Sequence, residues 1–180
     1  EFRYGPQLIS GAGAARRLAD LLPQGRCLFV TDANVRSLGL ADTVLAALPD
    51  TMMFDAVEED PSRETLMSAV AAGQGCASVV GFGGGSPMDV AKLAAYLIAT
   101  GEDLDTLWGV GKARGRKLPL ALVPTTAGTG SEATAVTVIT VGGSEKRGVN
   151  SRGAVTPRSA IGSSGIGSRA RGLRPTHRAR

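Results

Sequence analysis

Residues 81–89, Gly-Phe-Gly-Gly-Gly-Ser-Pro-Met-Asp, are the stretch that decides the fold of this 180-residue chain. The apolar run 77–82 predicts a strand buried on both faces, and the pattern over 87–99 predicts a helix directly after the glycines. Three consecutive glycines let backbone amides approach an anion closely, and the positive end of the helix dipole adds to the attraction. The stretch therefore has the form of a pyrophosphate cradle.

The start of this predicted helix carries capping signals. Ser86 can cap it, Pro87 suits its first position, and Asp89 completes a Ser-x-x-Asp capping pattern. The motif is not the usual Gly-x-Gly-x-x-Gly, because residue 86 is serine. The alternative is a plain strand-to-helix turn. Such a turn needs one or two glycines rather than three in a row, which favours a ligand site.

Predicted strands and helices alternate along the chain on both sides of this stretch. The predicted strands cover 2–4, 27–30, 52–54, 77–82, 118–123 and 133–141, and the predicted helices cover 11–22, 34–48, 60–72 and 87–99. The third helix is placed from the helix-start pair Asp60-Pro61. This order predicts an α/β fold, a Rossmann-like parallel sheet with helices on both faces, which binds ligands outside the carboxyl ends of its strands.

A second motif, Pro-Thr-Thr-Ala-Gly-Thr-Gly-Ser-Glu at 124–132, also follows a predicted strand. Its hydroxyl groups can donate to phosphate or ribose oxygens, and Thr129 and Glu132 have capping-box spacing. Taken alone, a cluster of this composition is usually a plain loop. Its place at the same edge of the sheet as the glycine stretch favours a shared site.

Single charged residues near these motifs allow two interpretations each. Asp32, at the end of strand 27–30, can accept from ribose hydroxyls and would repel a 2′-phosphate, which favours NAD over NADP; a helix or turn cap explains it equally well. Lys92 is expected to be a solvated charge on a helix face. Lys146 could approach a ligand, although an isolated lysine is more often a surface residue.

The net charge of +4 comes from the end of the chain. Residues 150–180 contain seven arginines and no acidic residue, whereas the first 149 residues hold 13 basic and 16 acidic side chains, a net charge of about −3. The basic balance therefore gives no reason to predict nucleic-acid binding. No apolar run has the length of a membrane span. Cys27 and Cys76 lack metal-ligand spacing and fit a reducing cytoplasm.

In this order, the motifs resemble the iron-containing (group III) alcohol dehydrogenase family. The matching blocks, within a likeness that runs from about Phe2 to Val149, are Val30–Asp32, Glu59–Ser62, Gly83–Lys92 and Pro124–Glu132. The resemblance implies an NAD(P)-binding α/β domain at 1–149, normally followed by an all-helical domain.

The resemblance also implies which residues contact the cofactor. These contacts are Asp32 at the ribose, the pyrophosphate loop with the acid that follows it, the loop of the second motif, and a lysine near the nicotinamide ribose. The resulting candidates are Asp32, Asp60, Gly84, Gly85, Ser86, Asp89, Thr125, Thr126, Thr129 and Lys146. Asp60 stands where many members have Asn.

The chain departs from the family at its end. The family holds divalent iron or zinc with one Asp and three His of the helical domain, but the only histidine here is His177. Residues 150–180 lack helical or alternating patterns and are expected to form a disordered or irregular basic tail. Our hypothesis is that a shifted reading frame encodes them; the alternative is a genuine tail that contacts an acidic partner. The hypothesis fails if no alternative frame of the coding DNA encodes a Pro/Leu/Asp run and later histidines.

The resemblance implies an oxidoreductase that transfers hydride between NAD(P) and an alcohol or aldehyde. We expect no catalytic or metal-ligating residue in this chain, and no dehydrogenase activity from it alone. The alternatives are a non-catalytic dinucleotide-binding module and a fragment without function. Surface that would face a helical domain could support a homodimer, and neither nucleic acid nor a membrane is expected as a partner.

Overall fold

The computed structural model describes residues 7–151 and 159–162. The strands are β1 (Gln7–Ser10), β2 (Cys27–Val30), β3 (Thr51–Phe54), β4 (Ser78–Gly83), β5 (Gly109–Val110), β6 (Leu120–Pro124), β7 (Val136–Val141), β8 (Glu145–Asn150) and β9 (Ser159–Gly162). The α-helices are α1 (Leu18–Leu21), α2 (Ala33–Ser37), α3 (Asp42–Leu45), α4 (Arg63–Ala72) and α5 (Gly85–Thr100), with 3-10 turns at Ala14–Arg17 and Leu104–Thr106. The candidate strand 2–4, His177 and most of the predicted tail lie outside the described residues.

Six strands form one fully parallel sheet in the order β1-β9-β6-β4-β2-β3. The predicted parallel α/β fold is confirmed. In this sheet β4 lies between β2 and β6, with Gly83 opposite Pro124 and Gly81 opposite Val30. The ends of β2, β4 and β6 consequently meet at one edge. This brings together Asp32, the glycine turn (residues 83–85) and the second loop (residues 125–132).

Apolar side chains cover both faces of this sheet, as the short all-apolar runs predict. On one face, Leu28, Val79 and Leu122 pack with residues of α4 and α5. On the other, Phe29 and Phe82 pack with Leu18 and Val44, and their rings stack at a centroid distance of 5.5 Å. Residues of β4 alternate between the two cores, so the strand is fully buried.

A second, smaller sheet has the order β5-β8-β7. Strands β7 and β8 pair antiparallel from Val136–Asn150 to Val141–Glu145, joined by a turn in which Gly142 and Gly143 have φ of 62° and 91°. Two positive φ angles are typical of a tight hairpin turn. The strand predicted at 133–141 exists from Val136, but it belongs to this hairpin rather than to the parallel sheet.

Several helix bounds differ from the predicted ones because a local backbone conformation ends or delays the helix. The helix predicted at 34–48 is two short helices, α2 and α3, separated at Gly39, whose φ is 66°. Helix α4 begins at Arg63 rather than Asp60, since Asp60 has a left-handed φ of 53°. Ser62 is the N-cap, and its Oγ accepts from Thr65 N at 3.1 Å. In the region predicted at 11–22, regular helix covers only Leu18–Leu21 after a 3-10 turn.

Strand β9 lies in the part of the chain, from residue 150 onward, for which the sequence predicts no regular structure. Its backbone pairs with Gln7–Ser10 on one side and with Ala121 and Leu122 on the other, and Ile161 is buried. Backbone pairing between two existing strands needs no alternating side-chain pattern, so this strand left no periodic signal in the sequence. Across the part of the chain that the structure describes, no helix is long and apolar enough to cross a membrane.

Candidate cofactor site

The turn from β4 to α5 is built by glycines with different roles. Gly83 has φ of 145°, and a Cβ there would lie 2.9 Å from Pro87 Cγ and 3.2 Å from Asp32 Oδ2, so backbone conformation and packing both require glycine. Gly84 has φ of −80°, and a Cβ would lie 3.5 Å from Thr126 Oγ1. A Cβ on Gly85 would have its nearest neighbour at 3.9 Å, in Thr129. The fold therefore does not require glycine at residues 84 and 85, and the space above them leaves room for a ligand.

Helix α5 begins at Gly85 with Gly84 as its N-cap and no side-chain cap. The predicted cap at Ser86 and first position at Pro87 are therefore wrong by two residues. The first amides of a helix have no intrahelical acceptor. Here those amides belong to Gly84, Gly85 and Ser86, and they can donate to an anion at the positive end of a 16-residue helix.

Asp32 serves as both a cap and a wall of the site. Its Oδ1 accepts from Val35 N at 2.8 Å and caps α2, while Oδ2 lies beside Gly83. The two interpretations of Asp32 are thus compatible, because each uses a different oxygen. The residue also lines a cavity of about 500 Å³, together with Gly84, Gly85 and Ser86.

The cavity wall is acidic. Asp55, Glu58 and Glu59 line it beside Asp32. Burial raises the pKa of Glu58, but hydrogen bonds from Ser62 N and Thr65 Oγ1 outweigh it, so the pKa is lowered and the carboxylate form is favoured. Sequence reasoning did not select these three side chains as site residues. Their position directly after β3, a neighbour of β2, was the signal that could have found them.

The second loop lies over the glycine turn. Thr125 N donates to Gly83 O at 2.9 Å, and the side chains of Thr126 and Thr129 are those nearest to Gly84 and Gly85. Thr129 Oγ1 also donates to Glu132 Oε2 at 3.2 Å. The predicted capping box is wrong, since this loop leads through a turn into β7 rather than into a helix.

Asp89 and Lys92 follow the turn on α5, where the Asp89 side chain is partly buried and the Lys92 side chain is fully buried. Lys92 has no exposed surface, so its prediction as a solvated helix-face charge is wrong. Burial lowers the pKa of Lys92, while the adjacent Asp89 carboxylate acts in the opposite direction. Asp89 accepts from side chains and a backbone amide through both of its oxygens.

Asp60 and Lys146 are brought together at the surface, outside the residues that line the cavity. Lys146 Nζ lies 2.7 Å from Asp60 Oδ1, and both side chains are more than half exposed. Asn and Asp are enriched in the left-handed conformation that Asp60 adopts, which explains how aspartate can stand where many family members have asparagine.

The described residues do not form a metal site beside the cofactor cavity. Within residues 7–151 and 159–162 no group of three or more His, Cys, Asp or Glu side chains is arranged to hold a metal ion. The described residues therefore do not fit the iron or zinc that the resemblance implies, and no step of chemistry is assigned to a metal here.

Comparison with known proteins gives consistent results. The family model for iron-containing alcohol dehydrogenase matches residues 5–163, which extends the likeness past Val149 and through β9. Among curated relatives, the NAD-dependent methanol dehydrogenase of Bacillus methanolicus is 32% identical over 148 residues, which are 77% of this chain and 39% of the relative. The sulfoacetaldehyde reductase of Bilophila wadsworthia is 28% identical over 142 residues, 74% of this chain and 37% of the relative.

Solved structures show the same partial coverage. A 1,3-propanediol oxidoreductase superposes with a TM-score of 0.82 and 30% identity, covering 90% of this chain and 45% of that one. The sulfoacetaldehyde reductase from Bifidobacterium kashiwanohense in complex with NAD+ superposes with a TM-score of 0.79 and 29% identity, again covering 90% of this chain and 45% of that one. The chain thus spans roughly two fifths of the curated relatives it matches.

Proposed function

Because the chain belongs to the iron-containing alcohol dehydrogenase family of oxidoreductases, we propose that it binds NAD in the cavity between Asp32 and the start of α5. The observation that carries this proposal is the pair Gly84 and Gly85. Neither backbone conformation nor packing requires glycine at these positions, yet both present bare amides at a helix start. A pyrophosphate needs this combination of close approach and free donors.

The other walls of the cavity suit the remaining parts of a dinucleotide. Asp32 Oδ2 would accept from the ribose hydroxyls, and Thr126 brings its hydroxyl group to the glycine turn, where Thr129 contributes its Cβ and methyl group. The side chains of Asp89, Asp60 and Lys146, by contrast, are engaged in contacts within the protein. Bound NAD would supply the hydride acceptor or donor, and the protein would hold it in position.

We further propose that the cofactor is NAD rather than NADP. Four carboxylate side chains line the cavity: Asp32, Asp55, Glu58 and Glu59. A 2′-phosphate carries close to two negative charges at neutral pH, and its repulsion by carboxylates in a confined space costs affinity. The same charges leave the ribose of NAD, with its two neutral hydroxyls, unaffected.

The proposed reaction of the whole protein is hydride transfer between NAD and a small alcohol or aldehyde. The part of the chain that the structure describes would provide the cofactor wall of such a site, and it contains no group of side chains arranged to hold a metal ion. We therefore propose that the chain alone binds NAD without dehydrogenase activity, and that its domain boundary falls after β9 instead of at 149. We also propose that the protein works in a reducing cytoplasm, because Cys27 and Cys76 are free and buried. Its proposed assembly is a homodimer.

Titration of the purified chain with NADH and, in parallel, with NADPH tests the proposal, followed by cofactor fluorescence or calorimetry. We expect saturable binding of NADH and weaker binding of NADPH. A thermal unfolding scan of the same sample shows whether the sheet is folded. A cooperative transition without NADH binding would contradict the proposal, and alcohol-dependent NADH formation with added iron or zinc would contradict the predicted lack of activity.

A further inference from the structure

Asp89, in the second turn of α5, connects three elements that are distant in sequence. Its Oδ1 accepts from Ser131 Oγ at 2.5 Å and from Lys92 Nζ at 3.3 Å, and its Oδ2 accepts from Val138 N at 3.0 Å. The helix, the end of the second loop and strand β7 are therefore joined at one carboxylate. Hydrogen bonds to a charged acceptor are among the stronger ones in proteins.

Lys92, on the same helix, also contacts Asp89. Its side chain is fully buried, and Nζ donates to Val136 O at 2.9 Å as well as to Asp89. A buried ammonium group is tolerated only when it is paired and hydrogen-bonded. The pair thus places a fully buried positive charge beside a partly buried carboxylate, and their partners on the loop side are Ser131 and the backbone of β7.

The second loop is consequently attached to the protein at both of its ends. At its start, Thr125 N donates to Gly83 O at 2.9 Å, and at its end Ser131 Oγ donates to Asp89. Thr126 and Thr129 lie between these attachments and are the nearest side chains to Gly84 and Gly85. The loop therefore cannot move away from the glycine turn without breaking one of the two attachments.

We infer that Asp89, Lys92 and Ser131 are positioning residues, which hold the second loop against the glycine turn so that the Thr126 hydroxyl group meets a bound phosphate. This inference rests on the proposed function, and it assigns Asp89 a role different from direct contact with the cofactor. Both oxygens of Asp89 are already engaged by donors of the protein, and Ser131 is 7% exposed. The cluster acts on the ligand through the loop rather than by touching it.

Ser131→Ala is the first test, because it removes one attachment and leaves the buried charge pair in place. We expect NADH to bind at least tenfold more weakly, as is typical for the loss of a hydrogen bond to a charged group. Adenosine, which needs only the Asp32 side of the cavity, should keep its affinity within twofold. Ser131→Thr retains the hydroxyl and should restore most of the NADH affinity.

The matched control is Ser68→Ala on α4, where the exposed hydroxyl donates to Glu64 O at 2.9 Å within the same helix. It should change neither NADH binding nor the loop. Hydrogen exchange of the ligand-free protein provides the second measurement: amides of residues 125–132 should exchange faster in Ser131→Ala and Asp89→Asn than in the wild type and in Ser68→Ala.

The outcomes separate the two proposals. Absence of NADH binding by the folded wild type would end the proposed function, yet faster loop exchange in Ser131→Ala would still support the positioning role. Unchanged exchange in residues 125–132, or an equal loss of adenosine and NADH affinity, would overturn the positioning role, whatever the wild type binds.

Discussion

Gly81 of β4 and Ala91 of α5 are packed so closely that a Cβ on Gly81 would lie 2.7 Å from the Ala91 Cβ. The same Cβ would lie 2.8 Å from Leu122 Cδ2 and 3.3 Å from the backbone Cα of Met88. Helix α5 can approach the sheet to this distance only because residue 81 has no side chain. This contact sets how closely the first turns of α5, which follow Gly84 and Gly85, pack on the sheet.

Gly81→Ala is expected to destabilise the fold. The added methyl group meets a helix backbone atom that cannot move without shifting α5, and overpacking of this kind costs about 1–3 kcal/mol. Urea unfolding would measure the loss as a lower midpoint. A free energy of unfolding equal to that of the wild type would show that the helix is not held at this distance.

Gly84→Ala is expected to separate binding from folding. Its φ of −80° suits alanine and its Cβ would meet only Thr126 Oγ1 at 3.5 Å, so the change should cost no more than about 1 kcal/mol of stability, as for a weaker N-cap. The methyl group would stand where a phosphate approaches the amides, and NADH affinity should fall at least tenfold. Calorimetric titration checks this, and full affinity in the variant would place the pyrophosphate elsewhere.

Asp32→Asn is expected to narrow the preference for NADH over NADPH. Asparagine is as good an N-cap as aspartate, so α2 and the free energy of unfolding should be preserved while one negative charge of the cavity is lost. The ratio of the NADH and NADPH dissociation constants should change roughly tenfold in favour of NADPH, because a tenfold change corresponds to a shift of one pKa unit, a common effect of one nearby charge. Asp32→Ala is the comparison variant: it should also lose about 1 kcal/mol of stability with the cap. An unchanged ratio in Asp32→Asn would remove Asp32 from the specificity argument.

Glu58 is expected to make folding sensitive to acid. Because the pKa of Glu58 is lowered from its ordinary 4.5 by the Ser62 and Thr65 hydrogen bonds, its stabilisation is complete above that value and is lost as pH falls through the lower folded-state pKa. In Glu58→Gln this component is absent, so the stability advantage of the wild type over the variant should be smaller at pH 3 than at pH 7. The group is exposed, so a difference below about 0.5 kcal/mol is expected. Denaturant unfolding at both pH values measures it, and parallel pH profiles would contradict it.

Local patterns predicted most of what belongs to one element. The all-apolar runs at 27–30 and 77–82 are buried strands, since residues covered on both faces have no reason to alternate. Helix starts were predicted less well. Ser86 and Pro87 have the composition of a cap and a first position, but α5 begins earlier, because glycine itself can serve as N-cap when the strand delivers it in the required conformation.

The sequence by itself determined the parallel α/β fold and the meeting of its two motifs at one edge of the sheet, because apolar runs and glycine turns act over a few residues. Only the tertiary structure decided the environment of Lys92. Lysine is usually a surface residue, but Lys92 is buried and donates to Asp89 and to the backbone of β7. The tertiary structure also decided that Asp60 pairs with Lys146, 86 residues away, and that β9 completes the sheet. Such contacts depend on which distant elements become neighbours, and no periodicity within a short window carries that information.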